Sequence, residues 1–238
     1  MVASGAVADR RRSSVATHRP PRTRHTDRSP ARGYLHHVAV DIPGLPGLAW
    51  TNGEGDARHD PDAHRLVLTA AAGVDWTNDP LGGPAQQRAT LLGFRAPDTD
   101  FTLSARVSVA GTRTTFDAAV LAVWIDSDHW AKLCFECSPQ GEAMVVSVVT
   151  NGWSDDCNST VVAAGHVHLR ILRAGPALAF HWSPDGQRWH FVRVFRLSAT
   201  APAVVGFMAQ APTGLACTAA FEQIRLTHDR PADLRDGS

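Results

Sequence analysis

From residue 64 onward the chain is cut into short apolar runs rich in Val, Phe, Thr and Leu, each closed by Gly, Pro, Asp or Ser. The runs at 64–70, 88–95, 100–109, 114–125, 130–137, 143–150, 166–173, 177–182, 189–197, 203–209 and 217–226 are the predicted strands. A parallel pair needs a crossover of about a dozen residues or more, usually a helix, and these intervals leave no room for one. No window shows a capped helical period. The expected fold is therefore all-β: an antiparallel two-sheet sandwich of the jelly-roll type.

Two turns fix neighbours within it. Ser183-Pro184-Asp185-Gly186 separates Phe180-His181-Trp182 from Trp189-His190-Phe191, and Asp-Gly supplies the positive φ of a tight hairpin. The run 118–125 is apolar at every position, as in a central strand covered on both faces. It passes through Asp126-Ser127-Asp128 into Trp130–Cys137, which predicts a second hairpin. Asp126 and Asp128 are weighed as calcium ligands and read as a hydrogen-bonded turn; no metal or other cofactor is expected.

Lys132 is the only lysine among 23 basic side chains. Its retention where every other cation is Arg points to a place that a planar guanidinium cannot fill. Side chains alternate across a strand, so Leu133 and Phe135 face a core while Trp130, Lys132 and Glu136 share the other face. An aromatic, an ammonium and a carboxylate suit a polyhydroxylated ligand. They suit a cross-strand charge network equally well, with Asp117, Arg170 or Arg193 as the expected partners.

Seven tryptophans are enough for both a core and a sugar platform. Trp124 falls in the doubly apolar run and reads as core. Trp76 and Trp153 lie in polar, glycine-bearing stretches of the kind that carry binding residues, with Asp155 close by. The candidate ligand-binding residues are Trp76, Asp117, Trp130, Lys132, Glu136, Trp153, Asp155 and Arg193. No catalytic residue is assigned. A glycosidase needs two flanking carboxylates; only Glu54, Glu136, Glu142 and Glu222 are glutamates, and none sits in an alternating acidic cluster. No nucleophile elbow, P-loop or H-E-x-x-H motif is present.

The zero net charge conceals an asymmetry. Residues 1–40 hold eight of the 23 basic and two of the 23 acidic side chains, so the other 198 residues carry 15 and 21. An acidic body argues against nucleic acid as a partner. No apolar stretch reaches the length of a membrane span. Residues 1–45 read as a disordered basic arm, residues 46–228 as the sandwich domain and 229–238 as a flexible tail. Arg10-Arg11-Arg12 is not followed by the apolar run of an export signal. Four scattered cysteines read as reduced thiols in a cytoplasmic protein.

The order Asp75-Trp76, Asp100-Phe101-Thr102-Leu103, Phe116-Asp117-Ala118-Ala119 and Trp130-Ala131-Lys132-Leu133-Cys134-Phe135-Glu136 resembles domain of unknown function 1349. Ser147–Thr150, Trp153-Ser154-Asp155, Leu169-Arg170-Ile171, Ser183–Gly186, Arg193, Val205-Gly206 and Phe221 extend the resemblance over residues 48–227. It implies a concanavalin A-like lectin and glucanase fold, and one branch of that family is named for regulating enolase. Three positions depart from the family pattern. Ala118 and Val120 stand where it tends to glutamine and glycine, and Asp156 where it tends to tryptophan. Residues and resemblance together lead to a non-catalytic carbohydrate-binding domain that takes a glycan or sugar-derived small molecule on its concave sheet. The alternatives are a regulatory domain acting on a metabolic enzyme and a glycoside hydrolase or lyase.

Overall fold

A computed structural model describes residues 39–238. The sixteen strands are β1 (Ala49–Thr51), β2 (Asp56–Asp60), β3 (Arg65–Ala71), β4 (Trp76–Thr77), β5 (Gln86–Gln87), β6 (Leu91–Arg95), β7 (Phe101–Val109) and β8 (Ala118–Asp126), then β9 (His129–Cys137), β10 (Ala143–Asn151), β11 (Trp153–Val161), β12 (His166–Ala174), β13 (Ala177–Ser183), β14 (His190–Phe195), β15 (Val204–Gln210) and β16 (Ala216–Thr227). Two seven-stranded sheets, ordered β1-β6-β15-β8-β9-β10-β11 and β14-β13-β12-β7-β16-β3-β2, make the all-β sandwich, with β4 and β5 as a separate ribbon. Every named pair is antiparallel.

Period-two alternation builds the inter-sheet core. On β7, Phe101, Leu103, Ala105 and Val107 are buried while Thr102, Ser104 and Arg106 stay half-exposed. Ala119, Leu121 and Val123 of β8 and Ala131, Leu133 and Phe135 of β9 face them from the first sheet. Phe207 meets Phe221 edge-on between the sheets, ring centroids 5.2 Å apart. Both predicted hairpins form, β13–β14 through Gly186 at φ 74° and β8–β9 through a turn in which Asp126 Oδ1 accepts from Asp128 N.

The outer face of the first sheet is covered too, so β9 is buried on both sides, whereas the second sheet is covered on its outer face only where the C-terminal residues lie on β12 and β13. Residues 72–90 lie over the outer face of the first sheet, and their Trp76 and Ala89 make a second apolar cluster with Leu91, Ala118, Val120, Ala122, Trp130, Cys134, Val146, Val148 and Met208 of the sheet. The expected strand at 88–95 begins only at Leu91, as β6; β5 precedes it and belongs to the cover. β11 appears where no strand is expected; it is a polar edge strand, largely exposed, with no apolar alternation to betray it.

The expected boundaries shift at both ends. Residues 1–38 of the expected basic arm lie outside the described residues, whereas Ile42 and Leu48 are core and Val40 bridges Leu48, so residues 39–45 belong with the sandwich. The tail expected to be flexible lies on the second sheet. Leu234 packs on Leu172, Ala174 and Ala179, Arg170 donates to Gly237 O at 3.0 Å, and His181 Nε2 pairs with Leu234 O at 2.6 Å. Cys134, Cys137 and Cys217 are buried, Cys157 is exposed, and all four are free.

Candidate functional site

Register places the candidate residues before any side chain is considered. On the outer face of the first sheet, Lys132 of β9 lies between Ala122 of β8 and Val148 of β10, and Glu136 lies between Ala118 and Met144. Ala118 and Ala122 are small and fully buried, so β8 forms a low strip, a trough, between Glu136 and Lys132 on one side and Gln210 on the other. Gln210, at the end of β15, is the Cα partner of Ala118 on its other side and reaches across that trough. Trp130 shares the face but is fully buried with its ring against Trp76, centroids 5.6 Å apart.

Lys132 is 3 % exposed and closes a set of three acceptors. Its Nζ donates to Asp75 Oδ1 at 2.6 Å, to Trp76 O at 2.9 Å and to Gln210 Oε1 at 3.0 Å. An ammonium has three donors, so none is left for a ligand hydroxyl. The expected partners Asp117, Arg170 and Arg193 are replaced by residues brought in from the cover and from β15. Burial on its own would lower the Lys132 pKa; the hydrogen-bonded Asp75 carboxylate outweighs it and holds the ammonium charged. The ion pair thereby ties the cover to the sheet. Asn78 completes the attachment: it donates to Ser127 O and Gly152 O, and its backbone N–H donates to Ser154 Oγ.

The cover also fixes Trp76, whose indole N–H donates to Ala89 O at 2.7 Å and whose ring packs 4.8 Å from Trp124. Trp76 and Trp130 are therefore interior to the cover, with no ring face open to a sugar.

Glu136 is the open end of the network. It is 8 % exposed, and among the described residues its one hydrogen-bond donor is Gln210 Nε2, at 3.3 Å from Oε2. Burial pushes its carboxyl up to about 7; Lys132 pulls against that, while Asp75 and Asp156 add to it. Asp156 pairs with Val148 from the far side of Lys132, on the same face and exposed, and its carboxyl is also raised, by desolvation first, with Asp75 adding to it. The amide that bridges Lys132 and Glu136 is that of Gln210 on β15.

Asp117 does not join this group. Even-numbered residues of β8 face the trough, and Asp117 precedes them on the opposite parity. Its carboxylate accepts from Thr114 N at 2.8 Å, and its Oδ1 is buried without a partner. Trp153, Asp155 and Arg193 form a second group at the sheet edge. Ser154 faces the cover, so Trp153 and Asp155 point to the other side of β11, where Arg193 Nη2 of β14 pairs with Asp155 Oδ1 at 3.3 Å. Trp153 is 62 % exposed.

Phe116 carries no signal in the sequence pattern, yet it borders the trough. Its carbonyl accepts from Gln210 Nε2 at 2.9 Å, its ring is 39 % exposed, and its φ is 69°. A left-handed backbone at a bulky aromatic is strained and is held by its surroundings. Its amide donates to Cys137 O at 2.7 Å, which supplies part of that constraint.

Residues 50–229 match the family described as "Protein of unknown function (DUF1349)". The chain belongs to this family. The DUF1349 fold seen here resembles a functionally unknown protein from Saccharomyces cerevisiae at a TM-score of 0.69 and 26 % identity, over 77 % of this chain and 97 % of that one. The GH43 protein BlXynB of Bacillus licheniformis aligns at 0.56 and 14 % identity, over 69 % of this chain and 33 % of its own. A xylan beta-1,4-xylosidase from Bacillus halodurans C-125 aligns at 0.55 and 12 %, over 82 % and 41 %. This DUF1349 chain thus spans less than half of either of those two proteins, and at such identities the likeness is one of fold. No curated protein matches the sequence.

Proposed function

We propose that this DUF1349 domain binds a glycan in the trough on the outer face of its first sheet. The observation that carries the reading is Glu136: a nearly buried carboxyl with one donor from the protein, the Gln210 amide, which also donates to the carbonyl of the exposed Phe116. Glu136 and Asp156 accept from sugar hydroxyls, and the Phe116 ring covers an apolar sugar face. Lys132 acts as a positioning residue: it holds Asp75, Gln210 and the cover in place. The edge group of Trp153, Asp155 and Arg193 is the other candidate surface.

Glycan-array screening of the wild type beside Glu136→Ala and Trp153→Ala separates the two surfaces. Glu136→Ala is expected to weaken the strongest signals at least about tenfold, equivalent to about 1.4 kcal/mol, while Trp153→Ala leaves them within about twofold. Loss confined to Trp153→Ala moves the site to the edge, and no glycan signal from the wild type ends the proposal.

One observation favours a second reading, a glycoside hydrolase or lyase. A carboxyl held at about 7 is half protonated at neutral pH and suits a general acid. Asp117 and Asp155 point away from the trough and Asp75 is held by Lys132, which leaves Asp156 as the second carboxylate. Turnover of an oligosaccharide that fails in both Glu136→Gln and Asp156→Asn would establish it.

A further inference from the structure

Between one pair of strand ends the two sheets part around a cavity of about 350 Å3. Its floor is inter-sheet core: Phe101 of β7, Val123 of β8 and Leu178 of β13 line it, with Leu197 from the β14–β15 connection. Its mouth is basic. Arg173 and Arg196 both border it, and Arg196 forms no ion pair and no side-chain hydrogen bond among the described residues. Arg173 is held in place by donating from Nε to Gly175 O at 3.1 Å and from Nη1 to Pro97 O at 2.7 Å, which leaves its other donors free. The carboxylate at the mouth, Asp98, is engaged by Arg95 at 3.4 Å.

An apolar floor beneath two guanidiniums without a carboxylate of their own selects one kind of molecule. We propose that this cavity binds a small anionic amphiphile, with its hydrocarbon part between the sheets and its carboxylate at Arg196 and Arg173. At the roughly 30 Å3 that a water-sized group occupies in a liquid, the cavity takes about ten to twelve heavy atoms, the size of a medium-chain carboxylate. Guanidinium forks match a carboxylate bidentately, and the exposed mouth keeps the head group partly hydrated, so the ion need not be fully desolvated. A cavity of this size and lining falls in the range of ligand sites. It is lined by none of the trough residues, so the two sites stand or fall separately.

The test uses sodium octanoate, octylammonium chloride and sodium acetate as probes of the full-length protein. Methyl-resolved NMR follows Val123, Leu178 and Leu197, and calorimetry gives affinities. Octanoate is expected to shift those methyls saturably, with octylammonium and acetate at least about tenfold weaker. Arg196→Glu is exposed and spares the core, so it tests the charge without risking the fold; it is expected to weaken octanoate about five- to tenfold. Equal binding of octanoate and octylammonium, methyl shifts elsewhere in the molecule, or no shift at all would each overturn the proposal.

Discussion

Replacing Lys132 with arginine keeps the charge and changes only its shape, which makes it the sharpest probe of the tie between cover and sheet. The ammonium sits almost without solvent contact among Asp75 Oδ1, Trp76 O and Gln210 Oε1, all within 3.0 Å. Its stem runs between Ala122 and Val148. Arginine brings a larger, planar head with five donors to three acceptors gathered around a point. Overpacking a filled interior costs about 1–3 kcal/mol, and a buried N–H left without a partner about 1–3 kcal/mol more. Lys132→Arg is therefore expected to lose about 2–6 kcal/mol, which for a domain of this size is a fall in Tm of about 4–24 °C. Lys132→Met, which strands the Asp75 carboxylate, is expected to lose about 3–5 kcal/mol.

Urea unfolding followed by tryptophan fluorescence measures both variants. Trp76, Trp124 and Trp130 lie together under the cover, so loosening it should shift their emission to the red before global unfolding. An Lys132→Arg protein within about 0.5 kcal/mol of wild type, with unchanged emission, would refute the reasoning. The position would then require charge alone, and the survival of a single lysine among arginines would have no structural cause.

Glu136 binds its proton more tightly folded, at about 7, than at its ordinary 4.5, so the folded state is favoured on the acid side and loses that advantage as pH rises between the two values. At 1.36 kcal/mol per unit the cost above pH 7 is about 3 kcal/mol; Glu136→Gln should remove it, so the variant's stability relative to wild type climbs through that window, and a pH-independent difference in denaturation midpoints would contradict the assignment. Phe116→Gly relieves the left-handed strain but loses the ring's partial burial and adds unfolded-state entropy, so stability should stay within about 1 kcal/mol of wild type while glycan binding weakens. A variant destabilised by more than that would mean that the ring is packed rather than presented.

The sandwich was legible because its strands announce themselves twice, by alternation and by turn residues. Ser183–Gly186 and Asp126–Asp128 each turn the chain where their chemistry says. β11 announces itself only by the turn Asn151-Gly152 before it, since Trp153–Val161 shows no apolar alternation and pairs at an edge where most of its side chains meet water. Alternation also put Trp130, Lys132 and Glu136 on one face. It could not say what lies over that face, because the cover comes from residues 72–90 and closes at Asp75, 57 positions from Lys132. Asp117 shows a signal that was present and unread. Pairing Ala122 with Lys132 across the hairpin sets the even residues of β8 toward the trough and so turns Asp117 away. Phe116 is different in kind, since nothing in its neighbours foretells a positive φ at a phenylalanine.

The buried ion pair and the proposed site are physically coupled, which bears on how any Lys132 variant is interpreted. After desolvation, Lys132 is the strongest influence on the Glu136 carboxyl and the one that most holds it down. Removing the ammonium therefore drives Glu136 further toward its neutral form and also frees the amide of Gln210, which now orients it. A Lys132→Met protein would lose glycan binding without the lysine ever touching a glycan. The two effects separate by pH. If Lys132 acts only through the protonation of Glu136, affinity in the variant recovers as the solution is made more alkaline. If it acts by holding the cover, affinity stays low at every pH while the tryptophan emission remains shifted to the red. With all three ammonium protons already bound within the protein, the second outcome is the one expected.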